Sequence, residues 1–562
     1  MVVSVRPPSV PPLVVAALAA LAGAALAGGR LPAQLPAPFA PAQNPPTPEK
    51  VVLGKFLFWE EQLSSDDSMA CGTCHLPEFG GGDGRPGPMR HPGPDGVYGT
   101  DDDIHGSAGV VRQAAGGDFA PDPVFGLDPR VTRRTAPTVL GAAHHPALLW
   151  DLGVGGRFDD PETGQTQIPF GGALEAQSVG PILDPGEMAV EGRTWQDVRT
   201  KLQGARPLAL AGDLPADLVA ARQQNPTYPA LFQAAFGDPS ITATRIAFAL
   251  ASYQRSLNPD DTPWDRFALG QPGALTPLEQ QGWALFQGSA RCSACHLEPL
   301  FSDDLPHNLG LRWAIEDPGA FLVTGMPDDV GAFKTPTLRN AGLRTRLFHN
   351  GQSVPLDDPG QLGDATSTLN IYLQGGGVDR TNLDPFLLPL QQLGVTAADL
   401  VLVQDFVRTA LTDPRAALAL PPFDHPALRS AAVPPLRAFG HPLAGARAPF
   451  FVDAVPAFPG NAAYKLGLAG GDGPGLAVLT WGRSSVEPFG TVVGLPWHVA
   501  AAGALAFALQ GPTGEVGHAT WRLPLPADPT LDAAPFYFQL FVFDPQAPGG
   551  IAASPGLELV VR

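Results

Sequence analysis

Apolar residues recur at helical intervals in several places along the first 412 residues. "TPEKVVLGKFLFW" from Thr47 and "TPLEQQGWALFQG" from Thr276 share one opening: threonine, then proline, then a glutamate within the next two positions. A threonine N-cap, a proline at the first helical position and an acid in the first turn predict two helix starts. Each segment then sets a glycine three residues ahead of Leu-Phe: Gly54 before Leu57-Phe58, and Gly282 before Leu285-Phe286. In "ITATRIAFALASYQRSLNP", Ile246, Ala249, Leu250, Tyr253 and Leu257 share one helical face, and Asn258-Pro259 ends the helix. Its place between the two repeated segments predicts a core helix at the interface of two units. "LVQDFVRTAL" reads as the closing helix of the second.

Beyond residue 412 the period changes. A Pro-rich connector, 413–438, leads into "AYKLGLAGGDG", "LAVLTWG", "ALAFALQGPTGEVGHATWRLPLP", "FYFQLFVFDP" and "LELVVR". Short β-prone runs punctuated by turn residues predict an antiparallel β-sandwich of roughly seven or eight strands over 439–562.

Composition sharpens this picture in two ways. Gly at 65 and Pro at 64 among 562 residues predict many loops. A formal charge of −19 repels nucleic acid and anionic membrane and attracts a cationic protein. Nucleic-acid binding is therefore set aside. At the N-terminus, Arg6 precedes an apolar run from Leu13 to Ala27 that ends in "AALAGG". This reads as an export signal over 1–27, followed by a linker over 28–44, and places the protein in the periplasm or outside the cell. The run is short for a membrane span.

Export makes the cysteines informative, because exported chains commonly use them in disulfides. Here there are four, in two copies of one pattern: Cys71-Gly-Thr-Cys74-His75 and Cys292-Ser-Ala-Cys295-His296. Structural zinc would gather both pairs and leave the histidines idle. A redox dithiol would sit in a βαβ context that the sequence lacks. Covalent haem uses every residue: two thiols add to the porphyrin vinyl groups, and the next imidazole faces the iron. Two haem c groups are expected, with His75 and His296 as proximal ligands.

The ordered motifs "LGKFLFWEEQLSSDDSMACGTCH", "RTAPTVLGAAHHPALLWD", "ALEAQSVGPILDPGEM", "FALASYQRSL", "FKTPTLRN" and "LFHNG" resemble the bacterial di-haem cytochrome c peroxidases and their relative MauG over residues 45 to 412. The resemblance implies two mainly α-helical cytochrome c-like domains in tandem: a peroxidatic one over 45–240 and an electron-transfer one over 241–412. It implies that Glu187 is the distal glutamate, with Gln177 and Pro181 beside it, and that Trp150 lies between the haems. A carboxylate in a partly dry pocket can take a proton from one peroxide oxygen and return it to the other. Classical members ligate the second haem with methionine, but none of the five methionines lies after Met326. MauG-like members use tyrosine, which falls on Tyr372; an open position or His349 are the alternatives.

The chain departs from the family pattern in other places. The stretch "GLDPRVTRRTAPT" holds no histidine, and His91 lies farther upstream, which implies a five-coordinate N-terminal haem. Thr135 stands where the family's calcium-binding asparagine is, with Arg344 and Arg346 at its carbonyl positions. A second candidate for calcium is the acidic loop with Asp95, Asp101, Asp102 and Asp103. The implied function is an exported oxidoreductase that reduces hydrogen peroxide with electrons from a protein donor, such as a small c-type cytochrome or a cupredoxin. The alternatives are a MauG-like enzyme oxidising Trp or Tyr of a substrate protein, and a non-catalytic di-haem electron carrier.

Overall fold

The computed structural model describes residues 35–561, apart from 86–88, 115, 354–355, 357–367, 433–436, 440–441, 443–446, 493–494, 514 and 532. The expected export signal lies outside the described residues. Among them, no helix is long and apolar enough to cross a membrane.

Five helices frame the site: α1 (Pro48–Phe58), α2 (Ala173–Leu183), α3 (Ala243–Ser256), α4 (Pro277–Gln287) and α5 (Ala397–Asp405). Thr47 caps α1 by accepting the Lys50 N–H, and Thr276 and Glu279 form a reciprocal capping box on α4. The repeated glycines explain themselves in the crossings. A Cβ at Gly54 would lie 2.0 Å from the Ala249 carbonyl oxygen on α3, and one at Gly282 would lie 2.1 Å from the Leu402 carbonyl oxygen on α5. Only glycine lets these backbones approach so closely. The same helix crossing is thus built twice.

Each crossing has its own core. Leu53, Phe56, Leu57, Ile246, Leu250 and Tyr253 pack in the first; Trp264, Phe286, Phe301 and Phe406 pack in the second. Helix α3 is a core helix, and through Leu250 and Gln254 it also borders the cavity lined by both cysteine motifs. The predicted face is buried, but Ala247 and Ala251 on the other side are buried too, against residues including Phe158 and Leu174. The buried positions of α3 thus extend beyond the predicted face. The connector also folds back, with Ala416, Phe423 and Leu428 in the first core.

The C-terminal part is a separate β-rich region. A two-stranded hairpin from the first half, β1 (Ala108–Val111) with β2 (Pro129–Val131), touches it. The region itself contains β3 (Phe450–Val452), β4 (Lys465–Asp472), β5 (Gly475–Gly482), β6 (Gly503–Leu509), β7 (Val516–Arg522), β8 (Pro535–Phe543) and β9 (Gly556–Val560). Antiparallel pairing gives one sheet in the order β3-β4-β7 and another that runs β6-β5-β8-β9. Leu466 and Leu468 of the first sheet meet Leu479, Phe538 and Leu540 of the second in one core. Val111, Phe119 and Leu127, from the first half of the chain, are buried in that same core. The sequence reading did not anticipate this intrusion.

Candidate active site

Cys71–Cys74 forms a single helical turn, fixed by the Ala70 N–H donating to Thr73 Oγ1 at 2.9 Å. Gly72 faces the Trp59 ring, where a Cβ would come within 2.2 Å. Next along the chain, His75 Nδ1 lies 3.0 Å from the Gly81 carbonyl oxygen. The second motif copies this arrangement. Cys292–Ala294 makes a tighter turn, and His296 Nδ1 lies 2.9 Å from the Phe301 carbonyl oxygen. A carbonyl only accepts, so Nδ1 carries the proton in both rings and Nε2 keeps its lone pair for a metal. Burial lowers the pKa of both imidazoles, which keeps them neutral.

The carbonyls of Pro137 and Pro336 also face these two rings. They belong to "TAPTVL" and "KTPTLR", a third repeated element of the duplication. The sequence reading treated these as unrelated motifs, although the shared Pro-Thr followed by Leu was there to align.

The donor set fits haem c twice. All four cysteines are unbridged, and burial pushes the thiols of Cys71, Cys74 and Cys292 up to about 12. Cys71 and Cys74 pack against the first core and Cys292 against the second, so the pairs do not form one four-thiolate site. Both motifs line a single, mostly apolar cavity of about 780 Å³. A smaller cluster, Cys295 with Asp303 and His307, has metal-ligand spacing. However, His307 Nε2 pairs with Asp303 at 2.9 Å and Nδ1 with Asp384 at 2.5 Å. Asp303 first, then Cys295 and Asp384, raise the imidazole pKa to about 11. A doubly paired imidazolium offers no lone pair, and the sequence reading did not single out His307.

The same cavity gathers the other expected residues: Trp150, Gln177, Pro181, Glu187 and Tyr372. Gln177 and Pro181 are one turn apart on α2 and share a face. The helix ends at Leu183, and the Asp184 carbonyl then accepts the N–H groups of Glu187, Met188 and Ala189 at 3.0–3.1 Å. This tight turn delivers Glu187 to the cavity wall. Burial, with the Asp184 charge adding to it, raises the Glu187 carboxyl to about 7. A carboxyl poised there can both accept and donate a proton near neutral pH.

Trp150 stands where the two halves meet. Its Nε1–H donates to the Thr135 carbonyl at 2.8 Å, and its own carbonyl accepts the Lys334 N–H at 2.7 Å. Its ring meets His349 edge-on at 6.4 Å, and His349 stacks on Phe333 at 3.5 Å. Nearby, Arg134 ties Asp151 of the first half (2.6 Å) to Asp317 of the second (2.7 Å). Tyr372 comes from the helix Thr368–Gln374, and burial, helped by Cys292 and Cys295, raises the pKa of its hydroxyl. His349 Nε2 is buried and has no hydrogen-bond partner among the described residues. His91 packs edge-on against Phe125 and is not part of the cavity lining.

Around the candidate calcium positions, several side chains pair with protein groups. Thr135 Oγ1 donates to the Phe348 carbonyl at 2.8 Å. The buried Arg344 guanidinium donates to the Ala136 carbonyl at 2.7 Å and to that of Arg346 at 3.4 Å. In the acidic loop, Asp102 accepts from the Asp95 N–H and Thr100, while Asp103 accepts from the Gly99 N–H and Arg90.

Comparison with known proteins gives concordant results. The sequence profile of the family described as di-haem cytochrome c peroxidase matches residues 48–273. Methylamine utilization protein MauG of Methylorubrum extorquens is 32% identical over 395 residues, covering 70% of this chain and 85% of that protein. MauG of Methylophilus methylotrophus is 33% identical over 314 residues, covering 56% of this chain and 71% of that protein. Cytochrome-c peroxidase IdrP1 of Denitromonas iodatirespirans is 28% identical over 416 residues, covering 68% and 86%.

Proposed function

The chain belongs to the di-haem cytochrome c peroxidase and MauG family, and from that premise we propose that it is an exported enzyme reducing hydrogen peroxide with electrons from a protein donor. One observation carries the reading. A single cavity is bordered by both C-x-x-C-H motifs, by Glu187 with Gln177, and by Trp150 at the junction. A plain electron carrier needs no carboxyl held near pH 7 beside its cofactor.

Haem bound at the first motif supplies the redox-active iron for peroxide reduction. His75 and His296 would ligate the two groups through Nε2, and Cys71, Cys74, Cys292 and Cys295 would anchor them covalently. Glu187 takes the proton from the near peroxide oxygen and gives it to the departing one. Gln177 orients the peroxide by hydrogen bonding, and Pro181 closes the wall beside it. Trp150 occupies the ground between the motifs and shortens the gap an electron must cross. Tyr372, which lines the same cavity as His296, would be the second residue to hold the haem of that motif, and its phenolate would favour the oxidised state. With no methionine for that position, oxidation of Trp or Tyr on a partner protein is the second reading. Thr135 offers a hydroxyl already donated to the Phe348 carbonyl where an amide oxygen would be needed for calcium, and no step here involves calcium.

In this reading residues 45–240 and 241–412 are two cytochrome c-like domains in tandem, and the β-rich region is an appended sandwich. The test uses the full chain matured with haem. Hydrogen peroxide should change the visible spectrum, and turnover with a reduced small c-type cytochrome should follow. Glu187→Gln should lose that turnover and keep both haems attached; unchanged turnover in this variant would overturn the assignment.

A further inference from the structure

Strand β1 lies on the backbone of the Glu187 turn. The Val110 N–H donates to the Glu187 carbonyl at 3.1 Å. A Cβ on Gly109 would come within 2.2 Å of the Gly186 carbonyl oxygen and 2.8 Å of Glu187 Cα. Alternate residues of a strand face opposite ways, and here the two faces serve different cores: Val110 is buried in the first haem-side core and Val111 in the β-rich core. Arginines from the two arms of the hairpin, both at its loop-side end, reinforce the contact. Arg112 pairs with Glu191 at 3.0 Å, and Arg130 reaches Glu191 at 2.6 Å and the Pro185 carbonyl at 3.2 Å.

The loop of the hairpin is held by the β-rich region. Phe119 is 3% exposed inside that core, and its N–H donates to Thr520 Oγ1 on β7 at 2.9 Å. Lys465 of β4 is buried, donates to Gln113 Oε1 at 2.6 Å and sits 4.7 Å over the Phe119 ring. Gly467 admits the same ring, since a Cβ there would meet Phe119 Cδ2 at 3.0 Å.

We infer that the C-terminal β-rich region is a positioning device for Glu187, with Phe119 and Lys465 as positioning residues that fix the strand on which the Glu187 turn rests. This rests on Glu187 being the proton-transfer group. The region therefore contributes to catalysis without touching peroxide or haem. Its removal from the hairpin leaves the strand its Val110 contacts and its arginine pairs, and takes away the anchorage of Val111 and Phe119 that fixes the strand from its other face.

The test compares full-length, haem-loaded Phe119→Ala, Phe119→Leu and Lys465→Met with the parent and with Glu187→Gln. Expected for Phe119→Ala is a fall in kcat of about ten- to a hundred-fold, as for a small misplacement of a reacting group. KM for the reduced cytochrome and the spectra of both haems should not change, and Phe119→Leu should restore most of the rate. Lys465→Met, which keeps length and loses the ammonium, should lower kcat in the same sense; it decides the matter if Phe119→Ala fails to retain haem. Parental kcat in Phe119→Ala and Lys465→Met, with Glu187→Gln inactive, overturns the positioning role and leaves the catalytic role standing. Parental kcat in Glu187→Gln overturns both.

Discussion

At the scale of single residues, Glu187 makes the sharpest demands. Its carboxyl is raised from 4.5 to about 7, chiefly by burial, and its base form picks up the proton. The peroxide rate should rise as pH increases through about 7 and fall below it, which stopped-flow measurement across that range would check. The same shift has a sign for stability. A carboxyl whose pKa is higher folded than unfolded stabilises the fold below its unfolded value, and that contribution is lost as pH rises through the folded value. Glu187→Gln should therefore melt at a higher temperature than the parent at about pH 8 and near the parent's at about pH 4. Tyr372→Phe should alter the visible and electron paramagnetic spectra of one haem only, with both still attached. Legibility at this scale followed sequence distance. The cysteines and proximal histidines were readable because covalent attachment needs them adjacent. Arg344 and His307 were not, because the Ala136 carbonyl and Asp384 lie 208 and 77 residues away.

At the scale of elements, the helix starts were legible from their caps, and the repeated glycines signalled the crossings. Gly54→Ala pushes a methyl into the Ala249 carbonyl, and Gly282→Ala into that of Leu402. Each should destabilise by about 1–3 kcal/mol or more, as overpacking does. Haem content measured after maturation should drop first at the motif whose crossing is disturbed: the Cys71 motif for Gly54→Ala, the Cys292 motif for Gly282→Ala. Periodicity identifies one buried face of helix α3, and Ala247 and Ala251 on the opposite face carry too little apolar signal to mark their burial. The β-strands beyond residue 439 were legible from alternation, whereas the socket they form for Phe119 depends on a loop more than 300 residues upstream.

At the scale of the whole molecule, the two halves are joined by side chains where calcium was a candidate. Arg344 reaches from the second half to the Ala136 carbonyl of the first, and Arg134 reaches back to Asp317. Chelation with EGTA should leave turnover unchanged, and added calcium should restore nothing; a loss reversed by calcium would contradict the arginine reading. Arg344→Met leaves the half-buried carbonyls of Ala136 and Arg346 without this donor and should cost about 1 kcal/mol, measured by thermal melting.

The matched settings of His75 and His296 have a consequence for energetics. Each imidazole is pinned through Nδ1 by a loop carbonyl and faced by the carbonyl of a Pro-Thr segment. The electron-donating push from behind is therefore alike for both irons, and whatever voltage separates them must be set on the opposite faces. Exchanging the groups there should move one midpoint potential and leave its twin in place, turning a graded pair into a level one.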